Sequence, residues 1–222
     1  VSIVDMNATL LLWAAVGLAV FSTELCLANE LPVGSFSSSN LESWEEKPFS
    51  GKTAYSLVRL QEAVVLKAES RGSASGLFKK IKVDIKKYPY LNWRWRIENR
   101  LTTVDERVKS SDDYAARIYV IIDGGIFLWR TRAINYVWAN KAKKYEVWPN
   151  AFAGSNAIMV ALRNNQDSIG TWYDEKRNVL EDLKEMLGIE YTAIDGIAIM
   201  TDTDNKQDHA IAYYGDIYFS TN

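Results

Sequence analysis

Arginines set beside aromatic rings, with carboxylates a short loop away, are the residues of this sequence best suited to hold a ligand. Arg94 and Arg96 alternate with tryptophan in Leu91-Asn92-Trp93-Arg94-Trp95-Arg96-Ile97, and Arg117 lies in Tyr114-Ala115-Ala116-Arg117-Ile118-Tyr119-Val120-Ile121-Ile122. A guanidinium carries a rigid fork of donors that grips carboxylate, phosphate or sulfate through two bonds at once. Between the two runs come Asp105, Arg107, Asp112 and Asp113. These acids offer either ligand contacts or plain ion pairs to Arg94 or Arg96, and such pairs are common on sheets and individually weak. Downstream, Trp172 stands near Arg177, Asn178 and Asp182. Among Trp129, Trp138, Trp148 and Trp172, one or two are expected as exposed rings on which a sugar face could stack; Trp172 is the best candidate, with packing of a helix against a sheet as its competing role.

A second constellation is acidic. Asp202-Thr203-Asp204-Asn205-Lys206-Gln207-Asp208 alternates hard oxygen donors in the manner of a calcium loop. The helix–loop–helix template fails, since Gln207 occupies its glycine position and Tyr213 its bidentate-glutamate position. What remains is a structural calcium site of another kind built from Asp202, Asp204 and Asp216, set against the ordinary use of Asp and Asn in turns. No other cofactor is required. Zinc has little to bind, with one histidine (His209) and one cysteine (Cys26) in the chain. A histidine-based hydrolase is equally poorly served, because no Gly-x-Ser-x-Gly elbow occurs. Paired carboxylates for glycoside cleavage would come from Asp112, Asp113, Asp174, Asp202 and Asp204, and a proton-abstracting lyase from Tyr119 or Tyr136 beside Arg117.

The elements that position these groups follow from period-two alternation. Leu91, Trp93, Trp95 and Ile97 share one side of the first run, leaving Asn92, Arg94 and Arg96 on the other. In the second, Tyr114, Ala116, Ile118, Val120 and Ile122 share a side opposite Arg117 and Tyr119. Two neighbouring strands with buried indoles and outward guanidinium groups are expected. Further strands are expected near 54–60, 63–68, 77–83, 134–139, 157–163, 193–201 and 212–219. Such short strands, punctuated by Gly, Pro, Ser and Asn, predict an all-β fold: a two-sheet antiparallel β-sandwich of jelly-roll type. One amphipathic helix near 173–187 is the exception, with Val179, Leu180, Leu183 and Leu187 at helical spacing, Thr171 as N-cap and Gly188 as stop.

Residues 1–28 read as a signal peptide: an apolar run from Ala8 to Phe21, then Cys26-Leu27-Ala28 with small residues where a signal peptidase cuts. No basic residue precedes Lys47, and a membrane anchor or buried first helix is the competing reading. Residues 29–222 then form one domain, large enough to bury roughly 70% of its unfolded surface. The leader carries Asp5 and Glu24 of the 28 acids, so the remainder balances the 26 bases. That balance gives no electrostatic case for nucleic acid, or for membrane association once the leader is gone. A domain without cysteine must hold its fold by its core alone, at home in a periplasmic or secreted setting.

Several motifs occur together in order: Trp44…Lys47-Pro48-Phe49…Thr53-x-Tyr55, Leu66-Lys67-Ala68…Ser73-Ala74-Ser75-Gly76-Leu77, and Tyr88-Pro89-x-Leu91-x-Trp93-Arg94-Trp95-Arg96. They continue with Asp112-Asp113-Tyr114-Ala115-Ala116-Arg117, Asn135-Tyr136-Val137-Trp138, Trp172…Arg177-Asn178, Met200-Thr201-Asp202-Thr203-Asp204-Asn205 and Tyr213-Tyr214-Gly215-Asp216-Ile217. In these the sequence resembles the bacterial family known as domain of unknown function 3047, over nearly all of 29–222. The resemblance implies a secreted or periplasmic protein and no assigned activity. The early Trp and Phe, the alternating-Trp strand and the closing Gly-Asp-Ile are also similar, at fold level, to galactose-binding-like jelly-roll carbohydrate-binding modules. That likeness implies sugar binding on a sheet face or at loop ends, often beside a structural calcium.

The expectation is therefore an exported, non-catalytic module for a saccharide or other polar, even anionic, ligand. Arg94, Arg96, Arg117, Asp112, Asp113, Trp172, Arg177 and Asn178 are its candidate contacts. A glycan-active enzyme with paired carboxylates and a cell-envelope scaffold are the alternatives. A binding module requires an open groove with exposed aromatics, an enzyme two carboxylates facing across a cleft, and a scaffold arginines that are all paired.

Overall fold

Alternating side chains give each strand one dry face, and here two sheets close over those faces. A computed structural model describes residues 29–102, 105–126 and 130–222. The expected leader (1–28) and Trp129 lie outside the described residues. In chain order the elements are β1 (Glu30–Gly34), β2 (Trp44–Ser50), β3 (Ala54–Leu60), β4 (Ala63–Arg71), β5 (Ala74–Asp84), β6 (Tyr90–Ile97) and β7 (Tyr114–Ile122). They continue with β8 (Arg132–Trp138), β9 (Val147–Asn150), β10 (Gly154–Arg163), β11 (Tyr173–Asn178), α1 (Val179–Leu187), β12 (Ala193–Asp202), β13 (His209–Tyr214) and β14 (Ile217–Ser220).

The first sheet runs β1-β14-β6-β13-β4-β3, with β11 on β6, and the second runs β2-β5-β12-β7-β8-β10-β9. The result is an all-β, two-sheet sandwich of jelly-roll type with one helix. Pairing is antiparallel except between β8 and β10, which run parallel because β9 pairs along the far side of β10. No helix among the described residues is long and apolar enough to cross a membrane.

The inner faces carry the expected residues. Leu91, Trp93, Trp95 and Ile97 are all buried, as are Ile118 and Val120 from the opposing sheet. Trp93 packs edge-on against Trp95 at 5.5 Å and stacks on Tyr136 at 5.3 Å, joining the two sheets through their rings. Each aromatic pair adds about 0.5–1.5 kcal/mol beyond the burial of its area.

Four expectations about elements need correction. β6 and β7 are not neighbours: they belong to different sheets, so their outward faces point to opposite sides of the molecule. The helix begins at Val179, not 173, because Tyr173–Asn178 pairs as β11 along β6. Asn178 is the N-cap in place of Thr171, its side chain accepting from the Glu181 amide at 3.2 Å, and Gly188 closes α1 with φ of 67°. The strand expected over 212–219 is interrupted at Gly215-Asp216, where the Gly215 amide donates to the Arg94 carbonyl at 2.9 Å.

The fourth concerns Tyr114. Met200 pairs with Arg117 but Asp202 with Tyr114, so β7 carries one extra residue against β12. This bulge puts both Ala115 and Ala116 in the main core and turns Tyr114 outward to the side of Arg117.

Candidate functional site

The outer face of the first sheet is open. Asn92 and Arg94 project from the middle of β6, with Lys176 across from Asn92 on β11, Tyr218 across from it on β14, and Asp174 across from Arg94. A groove of about 760 Å³ passes over these residues, bounded by the β3–β4 hairpin tip (Leu60 to Val64) and by half-buried Trp172. The Arg94 guanidinium lies 4.5 Å from the centre of the Trp172 ring. Gly215 makes this possible: a β-carbon there would come within 2.4 Å of Arg94 Cγ, so only a bare backbone lets the stem cross. Arg94 meets Asp174 at 3.7 Å, with side-chain exposures of 46% and 83%. That is too long for a hydrogen bond, so the guanidinium donors stay available.

The outer face of the second sheet is different. Arg117 points outward from β7, yet its side chain is only 4% exposed, because the segments before β7 and after β12 fold over it. It pairs with Asp202, whose own side chain is 2% exposed, and reaches toward Asp112 at 3.9 Å. The Tyr114 ring lies 4.8 Å and the Tyr119 ring 5.6 Å from the guanidinium. Asp113 accepts from the amides of Asn205 (3.0 Å) and Lys206 (2.8 Å), which fixes the turn after β12. Carboxylate oxygens of Asp113, Asp202 and Asp204 lie within 4.8 Å of one another. A cavity of about 420 Å³ opens on this cluster, lined by Asp112, Arg117, Tyr119, Asp202 and Asp204, with the exposed rings of Phe49 and Phe152 at its margin.

Electrostatically the cluster is under-compensated. Burial pushes the carboxyl of Asp202 well above its ordinary value; Arg117 pulls it back, and Asp112 and Asp113 push it further up. Burial likewise raises Asp112 and Asp113. Three atoms here are buried without a hydrogen-bond partner: Asp112 Oδ1, Asp202 Oδ1 and Arg117 Nε. Each such group costs about 1–3 kcal/mol or more when charged.

A third polar cluster is structural. Tyr136 donates to Asp182 at 2.5 Å, and Arg177 holds the same carboxylate through Nε at 2.9 Å and through its Nη2, tying α1 to both sheets.

Among known proteins, the profile of a protein family of unknown function, DUF3047, matches residues 42–218. The chain belongs to this family. No curated protein matches it. Among solved structures, this DUF3047 chain is similar to the family 11 carbohydrate-binding module of the cellulosomal cellulase Lic26A-Cel5E of Clostridium thermocellum. The identity is 9% and the TM-score 0.47, over 86% of this chain and 94% of that one. It is also similar to the xylan-binding CBM22-2 domain of Paenibacillus barcinonensis Xyn10C, at 11% identity and TM-score 0.41 over 86% and 98% of the two chains. A third is the glycoside hydrolase domain of Endo-D from Streptococcus pneumoniae, at 10% identity and TM-score 0.42, covering 81% of this chain and 22% of that one. Likeness at this level carries no ligand across.

The DUF3047 fold thus divides the expected site residues among four places. Arg94 and Trp172 meet in the groove. Arg96 shares their face but pairs with Glu98 at 2.7 Å and lies outside the groove lining. Arg117, Asp112 and Asp113 gather on the opposite side of the sandwich, so the ion pairs of Arg94 and Arg96 are with Asp174 and Glu98 instead. Arg177 and Asn178 are a clamp and a helix cap. The expected calcium set also separates: Asp216 lines the groove and accepts from the Ser37 amide at 2.8 Å, leaving Asp113 to join Asp202 and Asp204. Trp138 and Trp148 are buried, not platforms. Sequence reasoning gave no site role to Phe49, Asn150 and Phe152, which come from β2, the end of β9 and the turn after it; their only signal was two phenylalanines and an asparagine beside turn residues.

Proposed function

We propose that this is an exported, non-catalytic protein that binds a neutral saccharide along the groove of the first sheet. The observation that carries the reading is the Arg94–Trp172 contact, a guanidinium with unspent donors held 4.5 Å from the centre of an indole on an open strand surface. Lys176 and Tyr218 extend the donors along the groove, and Asp174, Glu62, Asp216 and the side-chain oxygen of Asn92, whose NH2 is held by Tyr90 and Ser220, supply acceptors. Sugars need this mixture, since their rings present C–H groups to an aromatic face and hydroxyls at the edge. Four carboxylates against two cations line the groove, which favours a neutral ligand over an anionic one. Export rests on the apolar run of residues 8–21 and on the absence of cysteine after residue 28.

Glycoside cleavage gains no support from the second face. Asp112 and Asp202 there are buried beside Arg117, and Asp113 is held by the amides of Asn205 and Lys206. Asp174 lies on the other sheet.

A glycan array on the purified chain, followed by affinity electrophoresis on the retained polysaccharide, tests the reading. Arg94→Ala and Trp172→Ala are expected to abolish retardation while melting like the parent. Unchanged retardation in both variants would sink the groove as the binding surface.

A further inference from the structure

We infer that Asp113, Asp202 and Asp204 form a binding site for a calcium ion on the outer side of the second sheet, independent of the saccharide groove. Three carboxylates from two separate segments place one oxygen each within 4.8 Å of the others. An acidic cluster alone would not suffice. Here Asp202, with 2% of its side chain exposed, keeps Oδ1 without a partner while Arg117 engages Oδ2. Asp112 Oδ1 is likewise buried and unpartnered, and both residues line the same cavity as Asp204.

The charge count points the same way. Arg117 pairs with Asp202 and reaches toward Asp112, so a single guanidinium serves a group of four acids, Asp112, Asp113, Asp202 and Asp204. A divalent ion supplies the positive charge this group lacks and gives the idle Asp202 oxygen a partner. The donors are all oxygen, and His209 lies elsewhere, 3.2 Å from Glu69. This set suits a hard cation and not zinc or copper. Oxygens on opposite sides of calcium stand up to about 5 Å apart, at bond lengths of about 2.3–2.6 Å, whereas magnesium draws them to about 4.2 Å. Oxygens that lie within 4.8 Å of one another fall inside the span a calcium ion bridges, and the flexible shell of calcium tolerates their irregular placement better than the strict octahedron of magnesium does. The adjoining cavity has room for water to complete the shell.

The test uses the full chain stripped with chelator and dialysed free of it. Terbium is added as a luminescent stand-in, excited through tyrosine and tryptophan, with Tyr119 at the cavity wall as a near donor. Calcium is then titrated against it, and melting is followed in parallel with calcium or magnesium alone. Sensitised terbium emission displaced by calcium is expected, together with a rise in melting temperature of roughly 5–10 °C at a hundredfold excess of calcium over its Kd. Asp204→Asn, at the half-buried ligand, should fold and weaken calcium at least tenfold. Absence of both terbium emission and a calcium-dependent melting shift in the parent chain overturns the inference, as does Asp204→Asn binding calcium like the parent. A shift of equal size with magnesium overturns the choice of ion and with it the stated site geometry.

Discussion

The two outer faces of this sandwich share the same alternation of side chains and reach opposite electrostatic states. On the first sheet the charged residues reach solvent wholly or in part: Arg94 meets Asp174 loosely, and Glu69 is paired with Lys67 at 2.6 Å. The hydrogen bond from Lys67 leads in drawing Glu69 down to about 2, well below the usual carboxylate range. On the second sheet, Asp112, Asp113 and Asp202 are pushed upward, and burial leads in each case. What separates the faces is cover. Arg94 and Asp174 on β6 and β11 are exposed, whereas the turns before β7 and after β12 close over Arg117. An open face can afford a guanidinium with idle donors because water serves it; a covered face cannot, and its idle atoms are where we place the proposed cation.

Arg117 gives the sharpest contrast. Arg117→Ala would leave Asp202 and Asp112 buried without their countercharge, at a cost of about 3–5 kcal/mol. In a domain of this size that lowers the melting temperature by roughly 6–20 °C. Arg94→Ala removes an exposed ion pair worth at most about 1 kcal/mol. It is expected to abolish polysaccharide retardation instead. Thermal melts and affinity electrophoresis on the two variants measure both effects. The comparison breaks if Arg94→Ala melts the protein as far as Arg117→Ala does.

Next in size is Asp182→Ala, which leaves the Tyr136 hydroxyl and Arg177 without their shared carboxylate inside the structure. A loss of about 2–4 kcal/mol is expected, with polysaccharide retardation unchanged. Weakened retardation by a folded Asp182→Ala would return Arg177 to the ligand surface. Smaller still is Gly215→Ala. Its new methyl would force Arg94 off its path across the strand. Stability should shift by about 1 kcal/mol or less, since the obstructing atoms are a flexible stem. Retardation should weaken several-fold, which separates a positioned guanidinium from one that acts wherever it lies.

Much of the fold was legible because alternation is local. Leu91, Trp93, Trp95 and Ile97 declared their buried side by spacing alone, and so did Ile118, Val120 and Ile122. Pairing partners were not legible, since nothing in Arg94 or Arg117 says which strand lies next door. That gap merged two faces into one imagined surface. Residues 173–178 misled for a related reason: Tyr173-Asp174-Glu175-Lys176-Arg177 suits a helix surface as well as a strand, and its place beside β6 decided the matter. Tyr114 was misplaced by a bulge, which depends on Asp202 and has no signature of its own. The acidic cluster was half legible. Asp202 and Asp204 stood out by alternation, but only folding could exchange Asp216 for Asp113.

The smallest expected effect concerns the sign of the pH dependence on the open face. Glu69 has a folded pKa of about 2 against an ordinary 4.5, so the folded chain releases that proton more readily than the unfolded one. Its pairing with Lys67, Arg71 and His209 therefore adds stability that is complete above about pH 4.5 and is lost as the pH falls through about 2. Glu69→Gln should cost at most about 1 kcal/mol at pH 7, the range for partly exposed pairs. The gap between variant and parent should close steadily below pH 4.5. Urea midpoints for both chains from pH 7 to pH 2.5 provide the measurement. A gap that stays constant over that range would mean that Glu69 contributes by packing and not by charge, and the two faces would then differ in cover alone.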